Sequence, residues 1–260
     1  MSSTLIFACI AVAVLITSFI SGILGMAGGM ILMGVLLALL PLPTAMVLHG
    51  VTQMASNGWR AWLWRTNVSW RVFRGYALGA SIALLAFMTV QLVVSKPVAY
   101  ILLGLTPFVS FALPKRLALN VDYRGHPIFC GALCSAMQLL AGVSGPMLDL
   151  FFVRSTLDRR GVVATKAMSQ TFGHLIKIFY FGGISLLATS NTDGNIAAGL
   201  TLPLVVTCVV LALTGTTLSK RVLERMSDAN FRLWTQATVM TMGVIYLASG
   251  IWMLTGSGRS

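Results

Sequence analysis

Ten apolar stretches, separated by short polar or Gly/Pro-rich breaks, run through this chain, and only 9% of its residues are charged. A water-soluble domain carries roughly a quarter charged residues, so these stretches cannot all surround one core in water. The expected fold is an all-α polytopic membrane protein in a lipid bilayer. A hydrocarbon layer about 30 Å thick takes roughly 20 helical residues per crossing. The 260 residues are thus consumed by about eight to ten crossings, leaving nothing for a soluble catalytic module. An enzyme is not expected.

The stretches in the first half are Thr4 to Ser21, Met26 to Leu40, Thr44 to Trp64, Arg71 to Val94 and Pro97 to Leu113. In the second half they are Pro127 to Ala141, Gly145 to Thr156, Gly161 to Ala188, Ile196 to Leu218 and Phe231 to Leu254. The polar run from Pro114 to His126 divides the chain into 1–113, a cytoplasmic linker at 114–126, and 127–260. Met26 to Leu40 and Gly145 to Thr156 are short for a crossing and read as broken or half-penetrating helices. The first run has no basic n-region and is expected to be a retained helix rather than a signal peptide. Cys9, Cys130, Cys134 and Cys208 lie in apolar stretches without a CxxC pair and read as small core residues. No metal or cofactor is expected.

The net charge of +12 comes from 18 Lys+Arg against 6 Asp+Glu. In a soluble protein that balance would suggest nucleic acid. Here the cations fall in loops, so no nucleic-acid partner is expected. Under a ten-segment count, 14 of them, from Arg60 through Arg65, Arg71, Arg116, Arg124, Arg159 and Arg221 to Arg232, share one side. Lys96 and Arg259 fall on the other, while Lys166 and Lys177 are inside a segment. The positive-inside rule makes the crowded side cytoplasmic and puts both termini outside. Counting each short segment as a re-entrant loop after a full crossing would split the same cations evenly, and is rejected. Trp59, Trp62, Trp64 and Trp70 around the arginine-rich loop read as an interfacial belt.

A shift of 117 positions lays Gly25-Met-Ala-Gly28-Gly29-Met30 on Gly142-Val-Ser144-Gly145-Pro146-Met147. Without a gap it also lays Thr52-Gln53 on Ser169-Gln170 and Arg60 on Lys177. This reads as an internal duplication. Five segments per unit is an odd number, so the units enter the membrane in opposite directions, as in inverted-repeat secondary transporters. There, short Gly/Pro-interrupted segments mark a binding site near the midplane. In each motif the chain ends one helix and starts another, whose unpaired N–H groups and positive dipole end suit an anion. The competing interpretation is that the glycines only allow close helix crossing.

The helix after each turn carries a polar stripe: His49, Gln53, Ser56 or Asn57, and Arg60, repeated as Lys166, Gln170, His174 and Lys177. Ionisable groups at membrane depth are costly and mark pathways; the alternative for Arg60, and also for Lys166 and Lys177, is snorkelling to the headgroups. Asp149 is the one acid inside an apolar stretch. It is expected to pair with Lys166 or Lys177, the alternative being a carrier of a coupled proton. His174 is a proton relay or a structural hydrogen-bond partner.

These motifs, and above all GVSGPMLDLFFVRSTLDRRGVVATKAMSQTFGHLIKIFYFGG from Gly142 to Gly183, resemble the TauE/SafE family of sulfite exporters, also called TSUP. The resemblance extends from about Ile20 to Leu254. It implies a bacterial inner-membrane permease for a small anion, such as sulfite, an organosulfonate or a carboxylate, working by alternating access. The family's first motif commonly has three glycines and a proline soon after. Here the run is Met26-Ala27-Gly28-Gly29 and the next proline is Pro41, a departure that bears on substrate rather than fold. The substrate-binding set expected is Gly25, Gly28, Gly29, Gln53, Asn57, Ser144, Gly145, Pro146, Lys166, Gln170, His174 and Lys177. A homo-oligomer is compatible with such a chain.

Two rivals differ in class. Gly142-Val-Ser144-Gly145 matches the GxSG of rhomboid-like intramembrane proteases, with His174 as the base. The repeat, however, sets Ala27 opposite Ser144 and Asn57 opposite His174, so the motif needs no nucleophile to explain it. A passive anion channel is the closer rival, distinguished by ohmic conductance instead of saturable flux.

Overall fold

A computed structural model of the chain describes residues 3–112, 119–189, 200–225 and 228–256. Lys115, Arg116 and Arg259, and the stretch around Ile196 where the ninth segment is expected to begin, lie outside the described residues. The first half forms α1 (Ser3–Leu24), α2 (Met26–Leu39), α3 (Leu42–Leu63), α4 (Trp70–Val90) and α5 (Lys96–Ala112). The second forms α6 (His126–Ala141), α7 (Gly145–Phe152), α8 (Arg159–Thr189), α9 (Leu202–Arg225) and α10 (Asp228–Gly256). A single 3-10 turn at Arg65–Asn67 joins α3 to α4. Four helices, α1, α4, α9 and α10, contain stretches long and apolar enough to cross a membrane. α2, α5 and α6 are shorter apolar helices.

The four most extensive helix packings each join the two halves: α1 with α9, α4 with α6, α3 with α8, and α5 with α10. Glycine sets their closeness. Any Cβ on Gly79 would collide with the carbonyl of Ile128, and one on Gly131 with the carbonyl of Tyr76, so α4 and α6 touch backbone to backbone. Along α1 and α9, Gly215 meets Leu15 and Gly22 meets Ser219, so these two helices run parallel. α4 and α6 are parallel too, with Gly75 on Pro127 and Gly79 on Ile128. α3 and α8 are antiparallel, Gly50 lying on Ile178 and Gly58 on Thr171. α5 and α10 are also antiparallel, with Gly104 on Leu247 and Gly250 on Ile101.

Three of the basic stretches gather at one end of the bundle. Arg160 lies over Trp64 at 5.6 Å, Ser69 N donates to Thr165 Oγ1 at 2.9 Å, and Arg71 Nη2 reaches the Val121 carbonyl at 3.3 Å and Asp122 at 3.9 Å. The loop after α3, the segment before α6 and the loop after α7 are thereby tied together. Arg65 stacks over Trp62 at 4.4 Å, and Trp59, Trp62 and Trp70 are exposed.

Candidate functional site

Two helix breaks build the site. Between α1 and α2 the chain turns at Gly25 with φ +66°, and after α6 it turns at Gly142 with φ +82°. A positive φ strains any residue with a Cβ, which is why glycine occupies both positions; only Gly142, with ψ −11°, is in the left-handed helical region. Pro146 sits in the first turn of α7, where its missing N–H costs no helical hydrogen bond. Neither α2 nor α7 has a side-chain hydrogen bond capping its N-terminus. The two breaks touch: a Cβ on Gly145 would fall 2.5 Å from Met26 Cβ.

Of the expected residues, Gly25, Gly29, Gln53 and Asn57 from the first half and Ser144, Gly145, Gln170 and His174 from the second line one cavity. It leaves about 20 Å³ to the centre of a water molecule, room for roughly one water. Ser21, Met26, His49 and Val143 complete its wall, and among the described residues no carboxylate belongs to it. Gln53 is 3% exposed and its Nε2 has no hydrogen-bond partner among the described residues. Its carboxamide lies against Gly29, where a Cβ would come 3.3 Å from Oε1. A buried donor left unpaired costs about 1–3 kcal/mol.

The other expected residues sit behind this wall. Gly28 is buried against Thr17 and Ser21 of α1, and Pro146 is buried in α7. Lys166 Nζ donates to Asp149 Oδ1 in a half-buried ion pair, so Asp149 takes Lys166 and not Lys177. Lys177 is fully buried; its Nζ donates to His49 Nδ1 at 2.6 Å and to the Gly142 carbonyl at 3.0 Å. His49 Nε2 is 2.9 Å from the Gly29 carbonyl. That oxygen can only accept, so the ring hydrogen is on Nε2 and Nδ1 offers its lone pair to the lysine. Arg60, the counterpart of Lys177 by the 117-residue shift, donates to the Ser21 carbonyl at 3.3 Å and to Asn57 Oδ1 at 3.5 Å. Each cation therefore serves a carbonyl at the end of the helix before its own half's glycine break, where the helix dipole is negative.

Ser144 Oγ donates to Gln138 Oε1 at 2.8 Å, and Gln138 Nε2 donates to His174 Nδ1 at 2.9 Å. The serine is thus bonded to an amide and not to the histidine, which is not the nucleophile–base contact a serine protease needs. Ser21, His49 and Gln138 belong to the site although they are absent from the expected set. The shift that pairs the glycines also pairs Ser21 with Gln138, a signal that the amino-acid order itself carries. Among the described residues no group of three or more His, Cys, Asp or Glu is placed to hold a metal.

No curated protein and no solved structure matches the chain. The family model described as sulfite exporter TauE/SafE matches residues 9–253, which include every residue of the cavity wall. That family is one of membrane transporters and not of enzymes. The match covers nearly all of the 260 residues, all-helical wherever secondary structure is described, and the chain belongs to the TauE/SafE family of sulfite exporters as a multi-pass membrane protein.

Proposed function

We propose that this transporter carries a small anion, of the sulfite, organosulfonate or small carboxylate class, across a bacterial inner membrane by alternating access. The observation that carries the reading is the unpaired Gln53 amide in a cavity where two uncapped helix N-termini meet and no carboxylate intrudes. Donors and positive dipole ends without a partner favour an oxyanion. Glycine at the breaks suits this role, because backbone N–H groups without a neighbouring Cβ can approach an oxyanion closely.

Residues 1–113 and 127–260 act in this reading as inverted repeats joined by 114–126. Support comes from glycines of positive φ at matching positions and from the packing pattern. Exchanging α1–α5 with α6–α10 turns the parallel pair α1 and α9 into the parallel pair α6 and α4. The same exchange returns α3 with α8, and α5 with α10, to themselves, as an axis lying in the membrane plane would require. The fourteen-to-two cation bias supports cytoplasmic basic loops and termini outside. The test is uptake into proteoliposomes of sulfite, a sulfonate and a small carboxylate beside a cation and a neutral solute of similar size. Saturable uptake of an anion is expected; transport of only the cation, or ohmic conductance, defeats the reading.

A further inference from the structure

Among the described residues, the buried Lys177 has no anionic partner. It is 0% exposed, and its two hydrogen bonds go to a neutral imidazole and a carbonyl. Among the described residues no carboxylate is bonded to Lys177 or His49. Groups from several neighbouring elements surround the pair. From α8 itself His174 stacks edge-on to His49 at 5.5 Å. From α2 comes the Gly29 carbonyl and from the α6 terminus the Gly142 carbonyl. Further off, Arg60 on α3 is bonded to Ser21 and Asn57, Asp149 on α7 is bonded to Lys166, and Tyr76 of α4 faces Gly173. An ammonium in this position is a charge without a counter-ion, which is costly at membrane depth. An amine in the same place keeps both hydrogen bonds, because its two N–H groups suffice for the two acceptors.

Resting on the anion reading above, we propose that Lys177 is the site of a coupling proton, with His49 as its contact to the cavity, so that an anion and one proton bind together. His49 belongs to the cavity wall and Lys177 does not. A proton from cavity water adds to the amine lone pair: one N–H forms on Nζ, one O–H of hydronium breaks to leave water, and His49 stays neutral with its hydrogen on Nε2. The anion between the glycine breaks then supplies the missing counter-charge. Each ligand raises the affinity for the other by the same factor, since binding linkage is reciprocal. The pair also ties the two halves, because Lys177 holds the carbonyl of Gly142 and, through His49, that of Gly29. Proton arrival is therefore felt at both breaks.

The test is calorimetric titration of the purified full-length protein with sulfite, methanesulfonate and acetate. It is run in mildly alkaline buffers of different ionisation enthalpy, where these anions are already deprotonated. About one proton taken up per anion bound is expected for the wild type. Lys177→Gln keeps a donor but holds no proton; its binding should weaken about tenfold, with proton uptake gone. Lys177→Arg keeps the charge permanently and should bind the anion with no linked proton. Binding without buffer dependence in the wild type, or proton uptake that survives both substitutions, overturns the proposal while leaving the anion reading intact. Binding of none of the three anions overturns both.

Discussion

Gly25 and Gly142, 117 positions apart, both have a positive φ, but ψ is −113° at Gly25 and −11° at Gly142, and their surroundings differ too. A Cβ at Gly25 would meet nothing within 4 Å, whereas one at Gly142 would come 2.7 Å from Met33 Sδ. Gly25→Ala should therefore cost only backbone strain, about 1–3 kcal/mol, because its φ and ψ lie outside the left-handed helical well. Gly142→Ala adds the displacement of a packed side chain to the strain of a left-handed helical backbone, about 2–3 kcal/mol in all. Thermal unfolding in detergent checks the contact: in a double-mutant cycle Met33→Ala should relieve part of the Gly142→Ala loss and none of the Gly25→Ala loss, and no relief would mean that Met33 does not constrain the turn.

The contact between Gly145 and Met26 gives a rescue experiment. Gly145→Ala pushes a methyl against Met26 Cβ and should force the two breaks apart, reducing anion uptake at least tenfold. Met26→Gly removes the opposing carbon, and the double variant should recover most of the loss. Failure to recover would place the effect elsewhere than in the contact between the breaks. Gly145→Leu, with no such relief, should abolish uptake.

Gln53 sets stability against function. Replacing it with leucine removes the unpaired Nε2 at similar volume, so the protein should unfold no more easily than wild type and gain about 1 kcal/mol. Anion uptake should nevertheless be lost. A variant both less stable and still active would show that the amide is paired in solution and is not a ligand donor.

Topology can be read by labelling. Three of the four native cysteines are buried, and Cys9 is partly so. With Cys9 replaced by serine, Arg65→Cys and Arg160→Cys should react with an impermeant maleimide only when it is presented from the cytoplasmic side. Both residues belong to loops joined at the same end of the bundle. Opposite-side reactivity would reject the cation-bias argument.

The helices themselves are legible in the sequence because apolar runs and Gly/Pro breaks are local. α2 is expected over Met26 to Leu40 and ends at Leu39. α7 is expected to reach Thr156 but stops at Phe152, where Val153 N closes onto the Asp149 carbonyl and the chain turns. What escapes is the direction of single side chains. Ser56 and Asn57 stand as alternatives in the stripe, and one residue is about 100° of helix. Ser56 bonds Thr216 of α9 at 2.7 Å, while Asn57 faces the cavity. Lys177 escapes for the same reason: the stripe puts it beside Gln170 and His174, yet the packing of α8 against α3 turns its amine to His49. Such choices are made by neighbours more than a hundred residues away, which no local pattern contains.

The pairing of α1 with α9 also bears on how the protein is made. α1 leaves the ribosome nearly two hundred residues before the helix whose Gly215 and Ser219 it packs against. Throughout that interval its close-packing face can meet only lipid or insertion machinery, and α4 has to wait in the same way for α6. Neither half can complete its own packing first, so assembly is a late, all-together event dominated by contacts of long sequence separation. Truncation after α5 should leave a fragment that inserts but turns over rapidly, whereas the two halves co-expressed as separate chains have every surface they need to find each other.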